Sequence, residues 1–193
     1  MPHTFDNIEL SLLRTLKESL RSAVKADVCV NYFNLRSEGQ IDRDVEQLPG
    51  GCRLMVRMQQ LPEEELRRSL AIGSAFKRMN RQESMRLQKS MAQKFREQLT
   101  VGALRDADEQ RLERLKHQLQ SRKLTVKLFL RHPVHAKLYL VRRTNHITPI
   151  IGFFGSSNLT LSGLQYQGKL NVDVTDSDAP QKLQRWFHER WGY

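Results

Sequence analysis

Apolar residues recur along the chain in two rhythms. At Phe5, Ile8, Leu12, Leu16 and Leu20, with Leu13 beside them, they return every three or four positions. That is the spacing of one helix face, so residues 5–24 are expected to be helical, with Thr4 or Asp6 as the N-cap. Residues 27–35, Asp-Val-Cys-Val-Asn-Tyr-Phe-Asn-Leu, are instead a dense run of β-branched and aromatic side chains. They read as a buried strand. Ile41, Val45 and Leu48 suggest a short helix closed by Pro49-Gly50-Gly51, and residues 52–58 a second strand. The first sixty residues thus follow an αβαβ order, as in folds whose helices cover a sheet.

Residues 62–123 differ in kind, with helix formers throughout and little sign of a strand. Met79, Met85, Leu87, Met91 and Phe95 fall near one helical face. After a break at Val101-Gly102, Leu112, Leu115 and Leu119 repeat at helix spacing. This segment is expected to be a helical insertion between two strands, its methionines a packing face. The strand rhythm returns with Leu124, Val126, Leu128 and Leu130 alternating with Thr125, Lys127 and Phe129, and again over 134–141. Residues 150–154 are a short apolar run ending in Gly155, and residues 170–174 form another strand candidate. Asp178-Ala179-Pro180 opens a last helix with Leu183, Trp186, Phe187 and Trp191 on its apolar face. The expected fold class is α/β, a mixed sheet flanked by helices and carrying a helical insertion.

Composition narrows the class. At 193 residues the chain suits one domain, 1–193, with the insertion inside it. Its stop close to the end of the last helix suggests a piece of a longer protein. No apolar stretch approaches the ~18 residues of a membrane span. The first residues lack the layout of a signal peptide, so a cytoplasmic location without a membrane partner is expected. Cys29 and Cys52 lie in strand-like runs and read as buried free thiols.

Charge adds a direction. The chain carries 32 Lys+Arg against 21 Asp+Glu, a formal net charge of +11. No Asp or Glu occurs between Glu113 and Asp173, a stretch that holds Lys127, Lys137, Arg142, Arg143 and Lys169 among other cations. Built into one surface, it would attract polyanions. Scattered over all faces, it would only aid solubility.

Two short motifs carry candidate chemistry. His135 and Lys137 are two positions apart in an alternating segment, so in a strand both would point to one face. An imidazole can attack phosphorus, and a neighbouring ammonium can hold phosphate oxygens. Gly155-Ser156-Ser157-Asn158 then follows an apolar strand. Small residues permit a tight turn there, and hydroxyls, an amide and backbone N–H groups make it a phosphate-binding inventory. His132 and His135 invite a metal reading, but no further Cys or nearby carboxylate supports one, and no cofactor is expected.

Together, His135-Ala136-Lys137 and Gly155-Ser156-Ser157-Asn158-Leu159-Thr160 resemble the phospholipase D superfamily, whose signature is His-x-Lys followed by Gly-Ser-x-Asn. The spacing, the flanking strands and the terminal helix resemble its nuclease branch. Residues 26–35 more loosely resemble the opening strand of such domains fused to superfamily-two helicases in bacterial restriction and phage-defence systems. The resemblance implies a metal-independent endonuclease acting on DNA through a phosphohistidine intermediate. Two copies of the motif would build one site, so a single-motif chain implies a homodimer with the site at its two-fold interface. His135, Lys137 and Asn158 would be catalytic, and Ser156 and Ser157 would bind phosphate.

Two departures from the family pattern matter. Arg142 stands where full phospholipase D motifs carry an Asp, which argues mainly against a lipase. Lys169 stands where nuclease members place a Glu that accepts a hydrogen bond from the histidine, and a lysine cannot accept one. Asp173 is four residues on, too far along a strand to substitute. Lys169 is read equally as a natural loss, an introduced inactivating change or a mismatch of register. The alternatives are a catalytically impaired DNA-binding and dimerisation module of the same fold, and a phospholipase.

Overall fold

The computed structural model describes residues 2–57, 81–99, 106–129, 135–160, 162–166, 168–176 and 178–192. Several sequence expectations lie outside them: Met58, Met79, the Val101-Gly102 break, Leu130, His132 and Val134.

The centre of the molecule is a seven-stranded mixed sheet of order β1-β7-β6-β5-β2-β3-β4. Its strands are β1 Thr4–Phe5, β2 Ala23–Val30, β3 Cys52–Val56, β4 Leu124–Leu128, β5 Leu138–Arg143, β6 Ile150–Gly155 and β7 Asn171–Val174. β2, β3 and β4 run parallel. β5 lies antiparallel to β2, and β6 and β7 continue antiparallel from it. Among the described residues the helices are α1 Leu12–Arg21, α2 Leu35–Gln47, α3 Arg81–Leu99, α4 Asp106–Gln120 and α5 Ala179–Trp191, with one π-helical turn at Ser162–Tyr166.

The sheet is covered on both faces, which explains why its central strands read as unbroken apolar runs. Ala26, Val28 and Val30 of β2 join Leu54 of β3, Tyr139 of β5 and the apolar faces of α1, α2 and α4 in one core. Cys29, Met55, Leu138 and Leu140 point the other way and pack under Phe187, Leu183, Trp186 and Trp191 of α5. Both cysteines are buried and neither is in a disulfide, and burial pushes the Cys29 thiol up to about 12. Under α5 the buried Asp27 accepts two bonds from Arg53, at 2.6 and 2.7 Å. The same guanidinium lies over the rings of Phe187 and Trp191. A buried ion pair of this kind is worth little over an apolar pair, yet removing either partner alone is costly.

The elements depart from the sequence pattern in several places. The first helix begins at Leu12 and is capped by Ser11, not by Thr4 or Asp6. Thr4 and Phe5 instead pair with β7 at the sheet edge. Asp6 turns the chain: its carboxylate accepts backbone N–H from Ile8, Glu9 and Leu10, and these bonds hold it below the usual carboxylate range. The strand expected over 27–35 ends at Val30, because another element takes its next N–H groups, as described below. On α4, Leu112 and Leu119 are exposed and only Leu115 of the three is buried. Beside Leu115, α4 also meets α2 through polar groups. Gln118 Nε2 donates to the Asp42 carbonyl at 2.8 Å, and Arg114 pairs with the Asp42 carboxylate. Of the methionine row, Met91 is buried and Met85 exposed, while Phe95 stacks on Phe33.

Candidate active site

One end of the sheet collects the chemistry. It holds the carboxyl ends of β2, β3 and β6 and the amino ends of β5 and β7. Carboxyl ends of parallel strands are where open α/β sheets bind ligands.

His135 and Lys137 do not lie in a strand. They form an extended lead-in to β5, with Ala136 packed toward the α5 core. The lead-in is fixed at one point, where the Lys137 carbonyl accepts the Gly155 N–H at 3.2 Å. The two expected motifs therefore touch through their backbones. His135 is exposed, and Lys137 Nζ donates to the His135 carbonyl at 3.4 Å.

The Gly155–Asn158 turn is braced from behind by Asn171, the first residue of β7. Asn171 Oδ1 accepts the Ser157 N–H at 3.1 Å, and Asn171 Nδ2 donates to Ser157 Oγ at 2.8 Å. Tyr139 donates its hydroxyl to the Ser157 carbonyl at 2.9 Å; burial raises that phenol above its ordinary range. Ser157 is fully buried, so its side chain belongs to this internal bracing and is not turned to a ligand. Ser156 is exposed, with its N–H and Oγ both directed at the Leu170 carbonyl. Gly155 has no room for a side chain. A Cβ there would sit 2.5 Å from Asn171 Oδ1 and 2.6 Å from Asn171 Cα.

Asn158 faces forward and explains why β2 stops. Its Oδ1 accepts the backbone N–H of Asn31 at 3.0 Å and of Tyr32 at 3.3 Å. Phe33 then bridges to Leu159. The chain leaving β2 is thereby clamped to the motif turn.

Two further side chains reach His135. Arg57, one residue beyond β3, puts Nη1 2.8 Å from His135 Nε2. Asn31, one residue beyond β2, puts Nδ2 3.2 Å from His135 Nδ1. Sequence reasoning did not single out either. Their position just past parallel strand ends was the available signal, but it depends on knowing which strands are parallel.

Lys169 precedes β7. Its N–H donates to the Asp6 carbonyl at 3.2 Å, and its own carbonyl accepts from Asn171 Nδ2 at 3.1 Å. Asp173, the other acid considered near it, is occupied by His3 through Nδ1 at 2.8 Å and the backbone N–H at 2.5 Å. Among the described residues no cluster of His, Cys, Asp and Glu could hold a metal ion, and no helix is long and apolar enough to cross a membrane.

A family model described as "Cardiolipin synthase, PLD-like domain" matches residues 16–191. The chain belongs to the phospholipase D-like domain family. Its fold is shared with solved structures at low identity. NucT from Helicobacter pylori superposes with a TM-score of 0.56 at 10% identity, covering 100% of this chain and 96% of that one. The phospholipase D family member Nuc from Salmonella typhimurium gives 0.56 at 10% identity, over 100% and 94%. The archaeal chromatin protein TrmBL2 gives 0.51 at 12% identity, over 99% of this chain and 52% of that one. No curated protein matches by sequence. In this PLD-like domain segments 135–137 and 155–158 meet at the end of the sheet where Arg57 and Asn31 also converge.

Proposed function

We propose that this PLD-like domain is a nuclease that cleaves DNA phosphodiester bonds through a covalent histidine intermediate, without a metal ion. The observation that carries the reading is the exposed His135, with Arg57 at its Nε2 and Lys137 beside it. A guanidinium is a donor only, so Arg57 facing Nε2 means that Nε2 presents a lone pair. A phosphodiester arriving there offers oxygens that take over the Arg57 N–H groups and free that lone pair. Nε2 then attacks phosphorus, a P–N bond forms, and the P–O bond to the leaving nucleotide breaks. A second His135, from a partner copy and protonated at Nε2 once the phosphodiester oxygens have drawn its own Arg57 away, gives that proton to the leaving oxygen. Water, deprotonated by that same second histidine, then attacks phosphorus and breaks the P–N bond, restoring both groups. Arg57, Lys137 and the amide nitrogen of Asn158 would hold the oxygens as charge builds, the type of preorganised donor set that contributes most to such rates. The two-histidine scheme calls for a homodimer, and two of the structural neighbours are named Nuc and NucT. Placement in a restriction or phage-defence system, beside a superfamily-two helicase, rests on the resemblance of residues 26–35 alone.

A second reading has its own observation. By the family resemblance Lys169 falls where nuclease members carry an acceptor, and a lysine is a donor only; if that register holds, it favours a module that binds DNA and dimerises without turnover. Plasmid cleavage in EDTA separates the two. The nuclease reading expects nicking by the natural sequence, loss of at least ~10³-fold in His135→Ala, and faster cleavage by Lys169→Glu. Cleavage that survives His135→Ala, or that requires Mg²⁺, overturns it. DNA binding with no cleavage by either the natural sequence or Lys169→Glu establishes the binding module.

A further inference from the structure

The two ring nitrogens of His135 present a conflict that the surrounding residues must resolve. Arg57 Nη1 stands 2.8 Å from Nε2 and Asn31 Nδ2 stands 3.2 Å from Nδ1. A neutral imidazole has one N–H and one lone pair, and an imidazolium has two N–H groups. Two donors therefore cannot both be served. Arg57 carries only N–H groups and cannot become an acceptor. Protonation of the ring would set Nε2–H against the Arg57 N–H, so the charged ring is incompatible with that contact. The Arg57 contact thus favours a neutral ring with the lone pair on Nε2 and the proton on Nδ1.

A protonated Nδ1 needs an acceptor, and Asn31 contains one. Its Oδ1 is buried and has no hydrogen-bond partner where it stands. A half-turn of the amide about Cβ–Cγ exchanges its two ends and brings that oxygen onto Nδ1–H. Such a turn leaves the backbone in place, because the Asn31 N–H is held by Asn158 Oδ1. We propose that Asn31 is the positioning residue of His135: its side-chain oxygen accepts Nδ1–H, fixes the ring's tautomer and orientation, and keeps Nε2 free for attack. It would supply from the end of β2 the acceptor that Lys169 cannot supply from before β7. The proposal deepens the nuclease reading and rests on it for the effect on rate, whereas the tautomer can be measured on the protein with no substrate present.

The test is a long-range ¹H–¹⁵N correlation spectrum of the full chain labelled at histidine, at mildly alkaline pH, with cleavage assayed in parallel. The expected result for the natural sequence is His135 as the Nδ1–H tautomer. In Asn31→Ala the Nδ1–H loses its acceptor and only the exposed contact with Arg57 still favours that tautomer, so the ring becomes a mixture of tautomers, and kcat falls by about 10²-fold or more with KM little changed, by analogy with loss of a histidine-orienting acceptor elsewhere. Asn31→Asp keeps an acceptor, so it retains Nδ1–H and recovers most of that loss. The acid limb of its pH–rate profile moves to higher pH, because a carboxylate beside the ring favours the protonated form. A purely structural role for Asn31 would move neither the tautomer nor that limb. Finding Nε2–H in the natural sequence, or identical tautomer signals in the natural sequence and Asn31→Ala, overturns the proposal. An Nδ1–H tautomer that depends on Asn31, in a protein that cleaves nothing, supports the positioning role and counts against the nuclease reading instead.

Discussion

At the scale of single residues, the site combines groups that sequence motifs announce with groups that they do not. His135, Lys137 and Asn158 were singled out by their resemblance to the family signature in type and spacing, and the fold brings their segments together. Arg57 is 78 positions from His135, and only the parallel pairing of β2 and β3 brings Arg57 and Asn31 to the same end of the sheet. No local pattern marks either. The Ser-Ser pair shows the opposite limit. Both hydroxyls suit phosphate by type, but the buried Asn171 commits Ser157 to the turn. Arg57 gives the first residue-level prediction. Arg57→Ala should lower kcat by about 10²-fold, the usual cost of one preorganised donor at a charge-building oxygen. Single-turnover cleavage at saturating DNA checks this, and an unchanged rate would place Arg57 outside the reaction.

At the scale of elements, what holds the site is the contact between the β6 turn and the start of β7. Gly155 and Asn171 face each other in the register, and the space at Gly155 is closed by Leu170 and Asn171 backbone and side-chain atoms. Gly155→Ala should therefore cost on the order of 1–3 kcal/mol, as overpacking does, and lower Tm by several degrees. It should reduce cleavage more than the Tm shift alone explains, since Asn171 must move and Ser157 with it. Denaturation and activity measured on the same preparation check both. The helices and strands themselves were mostly visible in the apolar rhythm, and α5 matches its expected apolar face. Boundaries failed where a side chain from elsewhere took the backbone. Asn158 ends β2 by accepting the N–H groups of Asn31 and Tyr32. Asp6 breaks the first helix pattern by gathering three N–H groups of its own. On α4, Arg114 and Gln118 join Leu115 at the contact with α2 because Asp42 is buried there. Periodicity cannot reveal such competition.

At the scale of the whole molecule, part of the cationic excess behind the net charge of +11 is engaged in the fold. Several cations of the acid-free stretch have structural work. Lys123 Nζ donates to the Leu48 carbonyl at 2.9 Å, and Lys127 Nζ to the Trp191 carbonyl at 2.5 Å. Arg143 bonds Thr148. On the proposed nuclease reading, the charge that would meet DNA lies with Arg57 and Lys137 near His135, and a second copy would complete the set. A solution mass from light scattering should accordingly give a dimer at assay concentrations, and a strict monomer that still cleaves DNA would remove the two-histidine scheme. The central claim, that His135 becomes covalently attached to DNA, can be tested still more directly. An oligonucleotide labelled at both ends is mixed with the protein in EDTA, quenched with denaturant without acid, and separated on a denaturing gel. The account predicts label migrating with the protein and mapping to the peptide that contains His135, with none in His135→Ala; cleavage that proceeds with no label on the protein would contradict it.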